Sequence, residues 1–493
     1  MKHICIILKL VIIFLIAGCG KYDGAALNGN TLTSMSRCYG GKGQDFGNAI
    51  AAADDGCFFI TGMTNSTDGN VKNNHGNSEL WVFKIDPSKE RDEQLVYSRC
   101  FGGSNDDFGS SIILSKNGCI IVVGTTNSTD GDLSGIRKGN SKDQDIWLLK
   151  IDPSKSENEQ ILFSRCFGGT GDDDVASITE DNDGSILIAG HTKSLDGDPI
   201  GCHKGNDQYG QTNDLWVLKI NPSLPQDKQI VYNRCFGGSS EDEGASIALT
   251  KDGCFMVAGH TFSTNGDINN RHKSKNPDTQ TCDFWVLKIN PLLPKNKQIV
   301  YNKCFGGSGN DILQSMILQD DYVVAAGITL SSDGDVKNYH EGKNNYGEPS
   351  CDVWVIKIDP SLPQDKQIVY DKCFGGSNDD VVHSMALAED KCVLITGKTN
   401  STDGDMSNIR IGDSDDSDLL VMKIDPTIGK HGPKFTYIKC FGGRDNDAGM
   451  SIIEAEHKRM LITGYTQSWD GGLMFLKNIF SKTDCWILKI SIH

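Results

Sequence analysis

The sequence predicts an all-β protein: a seven-bladed β-propeller with four-stranded blades, its N-terminal strand completing the last blade. Three observations predict it. The tetrapeptide Cys38-Tyr39-Gly40-Gly41 returns as Cys-Phe-Gly-Gly at Cys100, Cys166, Cys235, Cys304, Cys373 and Cys440, at intervals of 62, 66, 69, 69, 69 and 67 residues, and self-similarity at a fixed period marks a repeat architecture. Each unit holds four strand-length runs and no amphipathic run of helical length. The chain ends on a third strand around Trp486 that lacks its fourth, and after its leader it begins at Ser34-Met35-Ser36-Arg37-Cys38, a fourth strand that lacks its third. A ring closed by that complement leaves only short protected edges. The alternative, an open stack, would show atypical capping units at its ends.

The second unit justifies each element in order. Cys100-Phe101-Gly102-Gly103 leads through Ser104-Asn105-Asp106-Asp107 into the alternating run Gly109 to Ser115, strand A. Asn117-Gly118 makes a turn, and Cys119 to Thr126, rich in Ile and Val, is strand B. A polar loop opens on Ser128-Thr129-Asp130-Gly131-Asp132. Asp145 to Asp152, centred on Trp147, is strand C, and Pro153 stops it. Ile161 to Cys166 is strand D. Such a four-stranded sheet needs neighbours to cover its faces. The repeated Gly of strand B (Gly62, Gly124, Gly190, Gly259, Gly327, Gly397, Gly464) reads as a close-approach position. The Trp of strand C reads as packing between adjacent sheets, with Leu420 in its place in the sixth unit.

The pattern Cys-Phe-Gly-Gly-Ser-x-Asp-Asp, Gly-x-Thr-x-Ser-x-Asp-Gly-Asp and Asp-x-Trp-Val-x-Lys-Ile-Asp-Pro resembles the long propeller-type repeats, about 60–70 residues each, of surface lipoproteins of Bacteroidetes-like bacteria. The resemblance covers nearly the whole chain after the leader. It implies the propeller and an exported surface binder; it does not fix a ligand.

Residues 1–18 read as a lipoprotein signal peptide. Lys2 and Lys9 carry positive charge, Ile4 to Ile16 is apolar, and Leu15-Ile16-Ala17-Gly18-Cys19 is a lipobox, so Cys19 is the expected lipidation site. Residues 19–33 read as a flexible tether and 34–493 as the propeller. These features place the protein in the bacterial cell envelope, lipid-anchored, at the periplasmic or outer side of the outer membrane, touching the membrane through the anchor only. The net charge of −17, which loses two more lysines with the leader, argues against nucleic acid or anionic lipid as direct ligands. A monomer is expected.

Fifteen cysteines follow Cys19, an odd number, and three units lack the strand B cysteine, so a uniform disulfide per blade is excluded. No Cys-x-x-Cys occurs and no His stands at zinc-site spacing. Small buried packing residues are the simpler reading; occasional bridges such as Cys38 with Cys57 suit an exported protein.

In a propeller the strands alternate in direction, so the D-to-A and B-to-C connections share one face. Both are acidic. The D-to-A loops carry Asp45, Asp107, Asp173, Asp242, Asp311, Asp380 and Asp447, each seven residues after the repeat cysteine. Two readings stand: each carboxylate accepts backbone hydrogen bonds within its own turn or from Ser111, Ser177, Ser246 and their like, or the seven form a negative funnel at the channel mouth for a cation or basic partner. The Asp-Gly-Asp turns (Asp130 and Asp132, Asp196 and Asp198, Asp333 and Asp335, Asp403 and Asp405) read as capped tight turns or as oxygen-rich Ca²⁺ loops, without EF-hand spacing. Ca²⁺ is the one cofactor considered.

Length variation is confined to this face. From the acid of the Asp-Gly pair to the centre of strand C the gap is 13, 17, 20, 20, 21, 17 and 16 residues, whereas the other connections hold their lengths to within one residue. Loops that vary over a constant scaffold are where binding specificity resides. They hold His203, Tyr209, His272, Tyr339, His340 and Trp469 as candidate contacts. No His-Glu-x-x-His, P-loop or Gly-x-Ser-x-Gly occurs. His191 and His260 occupy matching strand B positions that other units fill with Met63, Thr125, Ile328, Lys398 and Tyr465, a variable strand position. The expected function is non-enzymatic binding of a protein or glycan through the acidic, loop-variable face. A polysaccharide hydrolase or lyase and a structural part of an envelope complex are the alternatives.

Overall fold

The computed structural model describes residues 31–137, 142–207, 210–410, 415–429, 432–470 and 482–492. They form seven four-stranded antiparallel sheets in a ring, the expected seven-bladed propeller. Blade 1 shows the plan: strand A is Asp45–Ala52, B Phe58–Thr64, C Glu79–Ile85 and D Leu95–Phe101. Strand A of each blade touches strand A of both neighbours and so lines the central channel. A short hairpin, Asn206–Asp207 with Gly210–Gln211, interrupts the B–C loop of blade 3.

The ring closes as expected. Strand Thr31–Tyr39 pairs antiparallel with strand C of blade 7, Asp484–Ile492, with Met35 opposite Lys489 and Cys38 opposite Trp486. It begins three residues inside the segment read as tether. Asp45 N–H also donates to the Thr483 carbonyl at 3.0 Å, tying blade 1 to blade 7. The signal peptide and Cys19 lie outside the described residues.

Strand A carries a register shift two residues in, between Gly47 and Ala49 in blade 1 and at the matching place in the other six. Such a bulge adds a residue and bends the inner strand. It makes the strand B glycine obligatory: a Cβ on Gly62 would stand 1.9 Å from the Phe46 carbonyl oxygen.

The core is distributed between blades rather than within them. Trp147 of blade 2 packs with Leu80, Val82 and Phe101 of blade 1, and Trp216 of blade 3 with Ile146, Leu148 and Phe167 of blade 2. Each buried Trp contributes about 2–3 kcal/mol of apolar burial. Its indole N–H finds a partner two residues before the repeat cysteine: Ser98, Ser164, Asn233, Asn302 and Ser36 at 2.8–3.0 Å. In blade 5 that residue is Asp371, held by Lys337, and the Trp354 N–H is left without a partner. Where blade 6 has Leu420, the ring of Phe435 packs against the same cluster and meets Phe374 at 4.7 Å.

One disulfide is present among the described residues, Cys202–Cys235, linking the B–C loop of blade 3 to strand D. Cys38 and Cys57, offered above as a bridge, are not joined to each other: Cys38 belongs to blade 7's last strand and Cys57 stands just before strand B of blade 1.

Candidate functional site

The loop-variable face is built on a belt of seven aspartates, one at the start of each strand A. None of Asp45, Asp107, Asp173, Asp242, Asp311, Asp380 and Asp447 exposes any surface. Asp45 Oδ2 accepts Gly41 N–H at 2.9 Å and Ser66 Oγ–H at 2.8 Å, and Oδ1 accepts the Thr64 hydroxyl. The Gly and Ser bonds recur in every blade at 2.7–2.9 Å. Each belt carboxylate therefore ties a D–A turn to the B–C loop above it. The serines are Ser66, Ser128, Ser194, Ser263, Ser331, Ser401 and Ser468 of the B–C loops, not Ser111, Ser177 or Ser246. The carboxylates face inward, and the funnel expected of them has no exposed oxygen to offer a cation or partner. Burial pushes Asp107 up to about 6 and Asp173, Asp242, Asp311 and Asp380 up to about 7, against the donors that pull them down.

The Asp-Gly-Asp turns lock on to the same glycines. The first acid caps the residue after Gly-Gly: Asp130 accepts Ser104 N–H at 2.8 Å, Asp196 Thr170 N–H at 2.8 Å, Asp333 Ser308 N–H at 2.7 Å and Asp403 Ser377 N–H at 2.7 Å. The second reaches the first Gly N–H of the repeat: Asp132, Asp198 and Asp335 at 3.3–3.4 Å. Asp405 keeps a buried Oδ2 with no partner. Among the described residues no group of three or more His, Cys, Asp or Glu is arranged to hold a metal ion.

A second acidic belt escaped the sequence reading. Glu79, Asp145, Asp214, Asp283, Asp352, Asp418 and Asp484 open the seven C strands and are all buried. Six of them hold a His or Arg from the B–C loop: His75, Arg137, His203, His272, His340 and Arg410. Asp283 shows the geometry, taking both the backbone N–H and Nδ1 of His272 at 2.7 Å. Arg137 reaches Asp145 at 2.6 Å with its side chain 1% exposed. So His203, His272 and His340 are first of all anchors that seat their loops, each showing only about a third of its side chain. The bond to Asp raises the pKa of His203 and of His272. The signal was legible: an acid two residues before each strand C centre, with His or Arg 4–12 residues upstream in six of the seven units. Of the other candidate contacts, Tyr339 gives its hydroxyl to the Ser350 carbonyl, Trp469 is 60% exposed, and Tyr209 lies outside the described residues. Tyr346, in the same loop as His340, is 89% exposed.

The inner rim of this face breaks the seven-fold pattern. The residue after each belt aspartate pairs with a late strand B residue. These pairs are Phe46/Met63, Phe108/Thr125, Ile312/Ile328, Val381/Lys398 and Ala448/Tyr465 in five blades, but Asp174/His191 and Glu243/His260 in blades 3 and 4. His191 and His260, read above as a variable strand position, thus stand side by side with two carboxylates.

The opposite face is occupied with itself. Strand D cations and tyrosines reach the C–D turn of the next blade: Arg99 and Tyr97 to Gln160, Arg165 to Gln229, Arg234 and Tyr232 to Gln298, Tyr301 to Gln367. Its polar groups hold the ring together.

No family model matches the chain. Over 238 residues, 46% of this chain, the sequence is 22% identical to the regulatory protein FlaEY of Caulobacter vibrioides, a stretch that spans 23% of that protein. Among solved structures it is similar to Raptor of Chaetomium thermophilum, with a TM-score of 0.46 and 8% identity over 94% of this chain and 29% of that one. It is also similar to a Dyadobacter fermentans protein of unknown function, with a TM-score of 0.36 and 10% identity over 94% of this chain and 99% of the other. The chain spans less than a third of the length of FlaEY and of Raptor. At these levels the likenesses carry no functional argument, which leaves the residues of the loop-variable face.

Proposed function

We propose that the chain is an exported lipoprotein, tethered through Cys19 in the bacterial cell envelope at the outer membrane, and that its monomeric propeller binds a protein or glycan through the B–C loop face. The observation that carries this reading is the unequal use of the two faces. C–D turns of constant length spend their polar groups on strand D of the preceding blade. Six of the seven B–C loops, which vary in length, are each seated by a His or Arg on a buried acid, and Tyr346 and Trp469 face outward. A rigid scaffold beneath variable loops is how binding surfaces are commonly made. Exchanging residues 198–213 and 268–281 for the shorter loop of blade 1 should abolish capture of the partner in an affinity pull-down from envelope extract or on a glycan array. Retained capture overturns the reading. Anchoring has its own test: Cys19→Ala should move the protein out of the detergent phase. Ca²⁺ at the Asp-Gly-Asp turns belongs to the same proposal, and a melting temperature unchanged by EDTA removes it.

A second reading, a glycan-cleaving enzyme, draws on Asp174 and Glu243 at the inner rim, since paired carboxylates serve glycoside hydrolysis. Turnover in a glycan panel that Glu243→Gln abolishes would establish it.

A further inference from the structure

The break in symmetry at the inner rim has a chemistry of its own. Glu243 Oε1 accepts Nδ2 of Asn213 at 3.1 Å, and Glu243 Oε2 lies 3.6 Å from His260 Nε2. The Nδ1 atoms of His191 and His260 are both buried without a partner. A neutral ring protonated on Nε2 is the tautomer that leaves no buried N–H unsatisfied there. Burial also holds His260 below its ordinary value. Glu243 shows a third of its side chain and His260 about an eighth. Five blades form the same strands without these residues, so the fold does not require them.

In a ring of seven, blades 7 and 1 lie across the channel from blades 3 and 4. There Phe46 and Tyr465, both half-buried, meet edge to face with centroids 5.1 Å apart. Blade 6 adds a half-buried cation, Lys398. One side of the mouth thus offers hydrogen-bond acceptors and neutral donors, the other an aromatic pair.

We propose that the mouth of the central channel on the loop-variable face binds a neutral sugar, the terminal residue of a glycan, between Asp174, His191, Glu243 and His260 on one side and Phe46 and Tyr465 on the other. The inference deepens the reading of this face as the binding face and rests on it. A sugar hydroxyl both gives and takes hydrogen bonds, which matches carboxylates set beside neutral imidazole N–H groups. Its C–H face matches an aromatic ring. A few convergent polar groups opposite an apolar wall is the usual composition of a small-ligand site. A cationic ligand fits less well, because Lys398 already offsets part of the charge and a purely acidic site would have no use for imidazole donors.

The test uses the purified full-length protein, with methyl glycosides of glucose, galactose, mannose and N-acetylglucosamine and their β- and α-linked disaccharides as probes in saturation-transfer NMR and calorimetry. At least one probe should bind saturably. Glu243→Gln and Phe46→Leu should each weaken that binding about tenfold or more while leaving the melting curve in place. No saturable binding by any neutral probe overturns the proposal. So does binding that both substitutions leave unchanged, or binding confined to a lysine-amide control. Partner capture that fails on loop exchange but survives Glu243→Gln and Phe46→Leu keeps the binding face and overturns the channel site alone.

Discussion

Removing one belt aspartate should cost far more than its formal charge suggests, because three donors depend on it. Asp242 accepts Gly238 N–H at 2.7 Å and Ser263 Oγ–H at 2.8 Å on one oxygen and the Thr261 hydroxyl on the other, with no surface exposed. Asp242→Ala orphans all three. At about 1–2 kcal/mol for each buried unsatisfied donor, the cost is about 3–6 kcal/mol. Asp242→Asn preserves shape and one acceptor oxygen. The amide oxygen can keep the Gly238 N–H and Ser263 Oγ–H bonds and the Thr261 hydroxyl can turn to accept from the amide nitrogen, but the second amide hydrogen finds no acceptor, so one donor remains unmet and the cost is about 1–3 kcal/mol. Guanidinium unfolding followed by tryptophan fluorescence reads both variants, since Trp285 and Trp354 are buried in the interfaces that flank blade 4. The exposed Asp130, which caps Ser104 N–H from solvent, supplies the control, with Asp130→Ala costing less than about 1 kcal/mol. An Ala variant within about 1 kcal/mol of the parent, or an Asn variant as damaged as Ala, would refute the argument that the belt acts through buried donors.

The belt also sets a pH dependence. Carboxyls held near 6–7 in the fold keep protons that the unfolded chain releases around 3.8, so stability should fall as pH rises from about 4 to 7 and level off above that. His203 and His272, raised by their Asp partners, contribute stability below about 6.5 that is lost as pH climbs through their folded values, the same direction. A melting temperature higher at pH 8 than at pH 5.5 would contradict both. Reduction should add the mass of two hydrogens for the Cys202–Cys235 bridge, and Cys202→Ser should lower stability by about 4 kcal/mol, the loop-closure figure for a separation of 33 residues. Arg137→Met should cost about 3–5 kcal/mol, because it leaves Asp145 buried without its cation; a melting curve like that of the parent would show the pair to be dispensable.

The blades were legible because their signals are local. Period-two alternation, Asn-Gly and Asp-Pro punctuation and the Cys-aromatic-Gly-Gly marker each act within a few residues, and closure needed only a comparison of the two ends, Met35 and Leu488. The direction in which an acid faces is not local. Asp107 and Asp130 look alike in sequence, yet one is sealed under a turn and the other is solvent-exposed, because the D–A turn folds over the first and under the second. The second belt was overlooked for the same reason: Asp145 meets Arg137 only once the B–C loop has curled back onto strand C. The Cys202–Cys235 bridge joins a variable loop to a repeated cysteine, a pairing that no comparison of equivalent positions suggests.

Equivalence between copies separates what the ring needs from what it merely tolerates. Closure imposes one geometry seven times, so a side chain that holds a blade in place recurs in the blades: the belt aspartate, the strand B glycine, the acid that opens strand C. Asp174, His191, Glu243 and His260 fail that criterion, and His191 and His260 carry buried nitrogens that nothing satisfies. Blade 5 puts Ile312 and Ile328 where blade 4 has Glu243 and His260, and blades 1 and 6 put Ser78 and Ser417 where blade 3 has Asn213. The triple variant Asn213→Ser, Glu243→Ile, His260→Ile therefore installs a solution the ring already uses. It replaces a partly satisfied polar cluster by packed apolar atoms, a change that is often neutral or stabilising. It should unfold at the same or higher denaturant, by up to about 2 kcal/mol, while losing any ligand of the channel mouth. A loss of more than about 1 kcal/mol would mean the cluster holds blades 3 and 4 together, since an interface dependent on those groups leaves orphaned partners behind when they go.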